Sequence, residues 1–271
     1  MRIVFFGEDS FSLIVLQSLI REGHEVAGVF CPNYDNSIYI RLEKFCNSNN
    51  IIFYRLENFR DDNFLNLIRV INPDLVVVCH FQKLFSKDLI IIPKFGCINL
   101  HPSLLPFYRG MSPQHWPIIN GDVRTGITVH FIDEGVDTGD IILQEQIDID
   151  GKDTVYDLQN KMKYYYNTIV VDAIKKISEN SEYIVQKKMK GSYYGRLKIS
   201  DCQILESFTV TMAYNLIRGV TYPYFGARFR DFIIWKAEIF TFGSYEVSLD
   251  LEEKKLYLKD GVLKLLKFEK L

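Results

Sequence analysis

The chain has 271 residues, 48% of them hydrophobic and 14% aromatic, which is enough apolar surface for a packed core and too much for a disordered chain. Its 32 basic and 34 acidic side chains leave a formal charge of −2, so there is no general attraction to nucleic acid or to an anionic membrane. Cys31, Cys46, Cys79, Cys97 and Cys202 are scattered, form no set with metal-ligand spacing, and fit a reducing cytoplasm with no metal site.

The opening MRIVFFGEDS holds a short apolar run followed by Glu8 and Asp9, too short and too acidic for a signal peptide. No run is long enough to span a bilayer, so a cytoplasmic protein without a membrane partner is expected. Arg2–Phe6 reads as a strand ending at Gly7. The GEDSFS that follows lacks the glycines of a dinucleotide loop, and its two acids would repel a pyrophosphate. Phe11–Ile20 has helical spacing and stops at Gly23. Val26–Cys31 and Ile51–Tyr54 read as strands, and Tyr39–Cys46 and Phe64–Ile71 as helices. Leu75–Cys79 is an uninterrupted apolar run, as in a central parallel strand. Strands alternating with helices imply βαβ units and an open parallel sheet of Rossmann-like type, with ligands beyond the carboxyl ends of the strands.

Cys97–Leu100 is the next strand, followed by a polar, Pro-rich segment to about Gly121. Thr128–Ile132 and Ile141–Gln146 are two further strands. Thr154, with Asp157 three residues on, predicts the cap of one long helix to about Lys176. The pattern breaks near Lys187–Lys190, a boundary between a catalytic domain at 1–190 and a small mixed or β-rich domain at 191–271. Glu206–Gly219 reads as a helix, and from Ala227 short alternating runs predict a small antiparallel module.

The stretch that carries chemistry runs from Asn99 to Asp140. Asn99 and His101 are two apart at a strand end, so their side chains share a face. Pro102 holds His101 toward extended geometry. The turn GVDTGD adds Asp137 and Asp140. A carboxamide, an imidazole and a carboxylate at one sheet edge suit acyl transfer to an amine. His101 takes a proton near neutral pH, Asn99 and protonated His101 offer hydrogen bonds to an oxyanion, and Asp137 raises the pKa of His101 and orients it. Taken singly, Asn-x-His is an ordinary local hydrogen-bonding pattern and the Asp an ordinary turn former. His24, His80, His115 and His130 read as structural histidines.

The whole string, NLHPSLLP with VDTGD, together with FFGEDSF and VVVCHFQKLF, resembles the folate-dependent formyltransferase family over about residues 1–178. The resemblance implies 10-formyltetrahydrofolate as formyl donor and no metal. It makes Asn99 the holder of the formyl oxygen, His101 the acid/base or electrostatic group, and Asp137 its support or proton relay. It places the folate between the loops Phe81–Leu89 and Ile132–Asp137, with Phe81, Gln82, Leu84, Leu89, Ile132, Asp133 and Asp140 as candidate contacts.

Three branches of that family compete. The purine enzyme is about a catalytic domain alone, shorter than this chain. The methionyl-tRNA formyltransferase must neutralise many phosphates, which a slightly acidic chain suits poorly. Arg109-Gly110-Met111-Ser112-Pro113 with Trp116, then SYYGRLK and NLIRGVTYPYFGARF, resemble the sugar N-formyltransferases. The expected substrate is then a nucleotide-linked, dTDP-type, 3- or 4-amino-dideoxy sugar used for O-antigen or related surface glycans. Arg196 and Arg218 are candidates for the diphosphate, Trp116, Tyr194 and Tyr222 for stacking on base or sugar, and Arg109 and Gly110 are further candidate substrate-binding residues. A homodimer through the C-terminal region is expected. The alternatives are methionyl-tRNA formyltransferase and a non-catalytic folate or sugar-nucleotide binder.

Overall fold

The computed structural model describes residues 1–33, 39–186 and 189–271. The first elements are β1 (Arg2–Gly7), α1 (Ser10–Arg21), β2 (Glu25–Pro32), α2 (Ile40–Ser48), β3 (Phe53–Leu56), α3 (Asp62–Ile71), β4 (Leu75–Cys79), α4 (Lys87–Ile90) and β5 (Cys97–His101). There follow β6 (Arg109–Gly110), α5 (Trp116–Asn120), β7 (Arg124–Phe131), β8 (Ile141–Asp148), α6 (Val155–Tyr166), α7 (Ile169–Ser178) and β9 (Tyr193–Tyr194). The last are α8 (Val210–Val220), β10 (Ala227–Phe229), β11 (Phe232–Phe242), β12 (Ser248–Asp250), β13 (Lys255–Leu258) and β14 (Gly261–Lys270).

Local chemistry explains the starts and stops. Asp9 caps α1 by accepting the backbone N–H groups of Phe11 and Ser12 at 3.0 Å each. Asp61 does the same for Phe64 at 2.8 Å, and α3 ends at Asn72 in the left-handed region, φ 50°. The expected helix from Thr154 to Lys176 is two helices. Thr154 and Asp157 form the reciprocal cap that starts α6, but the Thr168 N–H bonds to the Tyr165 carbonyl, a tightened turn that breaks the run before α7.

The chain divides into two compact units. The first comprises residues 1–109, 126–146 and 162–192, and the second residues 110–125, 147–161 and 193–271. The chain thus crosses between them more than once, and the expected boundary at 190/191 falls beside the last crossing. The break expected at Lys187–Lys190 lies partly outside the described residues.

In the first unit a seven-stranded sheet runs β3-β2-β1-β4-β5-β7-β8. The five strands from β1 to β5 are parallel, and β7 runs antiparallel to β5. One face buries Val4, Phe6, Phe30, Val76 and Val78 against Phe64, Leu65 and Ile68 of α3. Strands this apolar on both faces belong in the middle of a covered sheet. The carboxyl ends of β1, β4 and β5 therefore lie along one edge, at Gly7, Cys79 and His101.

The second unit holds a five-stranded antiparallel sheet, β10-β11-β14-β13-β12, with α8 lying against it. Val210, Ala213, Leu216, Ile217 and Val220 of α8 pack with Ile234, Leu256, Leu258, Leu263 and Leu265. No helix among the described residues is long and apolar enough to cross a membrane.

Candidate active site

The site is built on the pairing of β5 with β7. In that register Asn99 faces His130, and His101 faces Thr128. Residues directly opposite on antiparallel strands have touching side chains, and the Asn99 amide nitrogen lies 3.2 Å from His130 Nε2. His130 Nδ1 is 2.7 Å from the Phe131 carbonyl oxygen, which can only accept. Nδ1 therefore carries the proton, and in the neutral ring Nε2 accepts from Asn99. His130 thereby fixes which way round the Asn99 amide sits, with its NH₂ group turned into the site.

The loop after β5 orients His101. The Thr128 hydroxyl donates to the Ser103 carbonyl at 2.7 Å, and the Ser103 hydroxyl to the Phe107 carbonyl at 2.7 Å. Gln144 ties down Leu105 at 2.8 Å. These bonds hold Tyr108 in the left-handed region, φ 61°, where a bulky residue is rarely found. Its carbonyl accepts from His101 Nε2 at 2.8 Å. The other ring nitrogen, Nδ1, faces the Asp137 carboxylate at 3.5 Å.

Asp137 is the meeting point. One carboxylate oxygen is 3.4 Å from the Asn99 amide and 3.5 Å from His130 Nε2, and the other faces His101. Asp137 itself has φ 52°, a second left-handed residue at the site. The next turn is close against β7, and a Cβ on Gly139 would overlap the Phe131 carbonyl. Asn99, His101 and Asp137 are thus brought together, as the sequence pattern requires. The electrostatics differ from expectation. Burial pushes the His101 imidazole below its usual value and outweighs the raising effect of Asp137. His101 is therefore a neutral ring whose Nδ1 lone pair faces a carboxylate.

Sequence reasoning missed three things here. His130, read as structural, touches both Asn99 and Asp137. Its signal was its place opposite Asn99, visible once β5 and β7 are taken as antiparallel neighbours. Gln186, 1% exposed, donates to the Gly139 carbonyl at 2.5 Å, and Arg109 Nε donates to the Asp137 carbonyl at 3.1 Å. A further polar network lies at the ends of β1 and β4. His80, φ 51°, bonds Asp9 at 2.8 Å and the Tyr166 hydroxyl at 2.7 Å. Burial lowers the His80 pKa, but Asp9 and Glu8 outweigh it and the net direction is upward. Buried Glu8 accepts the Gln82 backbone N–H at 2.9 Å, and burial raises its carboxyl pKa.

The expected folate contacts sort by exposure. Leu84 is well exposed, Gln82 has an exposed side chain, and Ile132 is half-buried. Phe81 packs edge-on to Phe6 with ring centroids 5.2 Å apart, so most of it is core. Leu89 is fully buried in the apolar cluster, so its side chain is core. Asp133 accepts from the Gly135 N–H at 3.0 Å and the Thr138 hydroxyl at 2.6 Å, which shapes the turn. Asp140 lines, with Arg109, Thr138, Gln186 and Met189, a cavity of about 570 Å³.

The expected sugar-nucleotide contacts are less uniform. Arg218 is corrected. It is 6% exposed, and its guanidinium donates to the carbonyls of Asp150 and Asp153 and to Asn215 Oδ1 at 3.3, 2.6 and 2.6 Å. Its two terminal nitrogens are engaged inside the second unit, and only the buried Nε is without a partner among the described residues. Gly110 has φ 92°, and a side chain there would overlap the Tyr194 carbonyl. Trp116 donates to the Gly195 carbonyl at 3.2 Å and lies 5.0 Å from the Tyr194 ring, whose hydroxyl takes a bond from Asn120 at 2.8 Å. Arg196 and Tyr222 are exposed.

A family model described as formyl transferase matches residues 1–174. The methionyl-tRNA formyltransferase of Clostridioides difficile is 35% identical over 249 residues, covering 88% of this chain and 81% of the relative. That of Fusobacterium nucleatum is 36% identical over 228 residues, covering 81% and 73%. Among solved structures, the sugar 3N-formyl transferase WlaRD, determined with dTDP and 5-N-formyl-THF, superposes with a TM-score of 0.77 at 24% identity and covers 98% of each chain. The N-formyltransferase of Helicobacter canadensis, in complex with folinic acid and dTDP-3-aminofucose, gives 0.74 at 21% identity, covering 97% and 98%.

Proposed function

The chain belongs to the formyl transferase family, and on that footing we propose that it formylates the amino group of a nucleotide-linked 3- or 4-amino-dideoxy sugar, with 10-formyltetrahydrofolate as donor. The observation that carries the chemistry is the convergence of Asn99 and His101 within 3.5 Å of the Asp137 carboxylate.

The loop after β4 offers exposed apolar surface at Leu84, and the loop after β7 runs from half-buried Ile132 to Asp137, which meets Asn99 and His101; these support a reduced folate as the bound donor. The bound donor supplies an activated formyl carbon. His101, neutral and anchored through Nε2, presents Nδ1 to take the proton released as the amine nitrogen bonds to that carbon. Asp137 stabilises the imidazolium so formed. The Asn99 NH₂ group keeps one hydrogen on His130 and turns the other, which lies at the long distance of 3.4 Å from Asp137, to the oxygen that becomes negative. The same Nδ1 proton is then available to the departing folate nitrogen as its bond to carbon breaks, leaving a formamide and tetrahydrofolate.

Two observations favour a sugar nucleotide as acceptor. The fold matches sugar N-formyltransferases over nearly the whole of both chains. Residues 193–271 carry 12 Lys and Arg against 10 Asp and Glu, a weak charge for a tRNA-binding module. The second reading, methionyl-tRNA formyltransferase, is favoured by sequence identity above 30% to such enzymes. The test is direct. Purified protein with 10-formyltetrahydrofolate is offered dTDP-3-amino- and dTDP-4-amino-dideoxy sugars and charged initiator tRNA. Formylated sugar nucleotide is expected, and product from tRNA alone overturns the sugar reading.

A further inference from the structure

We propose that Gln186 is a positioning residue for formyl transfer, one that holds the backbone of Asp137 so that its carboxylate faces His101. The inference deepens the reading above and rests on Asp137 as a working carboxylate.

Asp137 sits in the left-handed region, where most residues with a side chain are strained. Such a conformation persists when its surroundings over-determine it. Here the restraint is visible. The Asp137 carbonyl accepts from Arg109 Nε at 3.1 Å and from Gln186 Nε2 at 3.4 Å. The same Gln186 nitrogen donates to the Gly139 carbonyl at 2.5 Å, two residues further on. Gln186 Oε1 accepts from the Arg109 guanidinium at 2.9 Å. One amide therefore links both carbonyls of the turn to the arginine that shares the first of them.

The placement of Gln186 has no other structural account. It lies outside any helix or strand, beside an exposed Val185, yet is itself 1% exposed. Burying an amide is unfavourable unless its hydrogen bonds are replaced, and all of those identified for this side chain go to Arg109 and the turn of Asp137. A glutamine serves because the position needs an acceptor for Arg109 and a donor for the carbonyls at once. Glutamate accepts but cannot donate, and methionine does neither at similar length.

The experiment compares Gln186→Met, Gln186→Glu and Asp137→Asn with the wild-type chain. Each is assayed with 10-formyltetrahydrofolate and the amine accepted in the panel above, and each is checked by thermal unfolding. Gln186→Met is expected to lower kcat by about ten- to a hundredfold, the scale of a small misplacement of a reacting group, with KM for both substrates within about twofold. The acid limb of its kcat/KM profile moves to lower pH, because His101 loses the carboxylate that holds its pKa up. Gln186→Glu, which keeps the contact to Arg109, shows the same loss and carries the test if the methionine variant does not fold. Wild-type kcat in a folded Gln186 variant, or a loss confined to KM, overturns the proposal. Wild-type kcat in Asp137→Asn removes instead the reading on which it rests.

Discussion

The carboxyl edge of β5 and the arginine- and aromatic-rich part of the second unit contain similar residue types in opposite conditions. At the β5 edge His101 Nδ1 faces a carboxylate oxygen of Asp137 at 3.5 Å, and burial holds the imidazole below its usual pKa despite that neighbour. Two non-glycine residues there, Tyr108 and Asp137, have left-handed backbones. In the second unit Arg218 places its two terminal nitrogens on two carbonyls and an amide oxygen, and His115 bonds the Gly219 carbonyl at 2.8 Å. The first region sets an imidazole nitrogen against a carboxylate, whereas in the second Arg218 directs its terminal nitrogens to the chain itself and keeps a buried Nε without a partner among the described residues. A buried side chain reads as structural when chain carbonyls take most of its donors, and as a candidate for chemistry when it faces an ionisable partner.

The strongest way to break that contrast is at Asp137 and His101. Asp137→Asn, or His101→Asn, is expected to lower kcat by about a thousandfold, the range for a positioned acid/base group, with an unchanged unfolding curve. Near-normal turnover of either variant would place the chemistry elsewhere. Asn99→Ala follows, with a loss of about 10²-fold for one oxyanion donor, read as a fall in kcat at saturating amine.

The contrast is sharpened by the reverse experiment in the second unit. Arg218→Met strands buried acceptors at Asp153 and Asn215, and should cost about 3 kcal/mol of stability, measured by urea unfolding, while kcat at 15 °C stays near wild type. A large fall in kcat with intact stability would return Arg218 to the substrate site. The smallest effect concerns His80, whose raised pKa makes its contribution fully present below 6.5 and lost as pH rises through the folded-state value. The melting-temperature gap between wild type and His80→Asn should therefore be wider at pH 6 than at pH 9, and an equal or reversed gap would show that Asp9 does not hold a charged His80.

Much of the first unit was legible because its determinants are local. Leu75–Cys79 reads as a covered central strand because its apolar run is uninterrupted, and the helical spacing of Phe11–Ile20 and Phe64–Ile71 lies within single elements. Asn99 and His101 were legible because two residues on a strand share a face. What escaped depends on partners far along the chain. β7 runs against β5, and only that pairing brings His130 to Asn99. Gln186 acts on a turn some fifty residues earlier, and its burial has no local signature. Arg218 looked like a diphosphate clamp because an arginine near aromatic residues reads alike whether exposed or buried. The five-residue helix Trp116–Asn120 was hidden in a proline-rich stretch, and the helix expected from Glu206 begins at Val210, where Thr209 supplies the cap.

The cross-strand register of Asn99 with His130 is independent of the path the chain takes between β5 and β7. That path leaves the first unit after Arg109 and returns at Gly126. Its first stretch, Ser103 to Arg109, must keep its form, because the Tyr108 carbonyl anchors His101 and Arg109 holds the Asp137 carbonyl. Only the excursion from Gly110 to Thr125 is free of these contacts, so insertions there are expected to spare the reactive centre and insertions before Arg109 to disturb it.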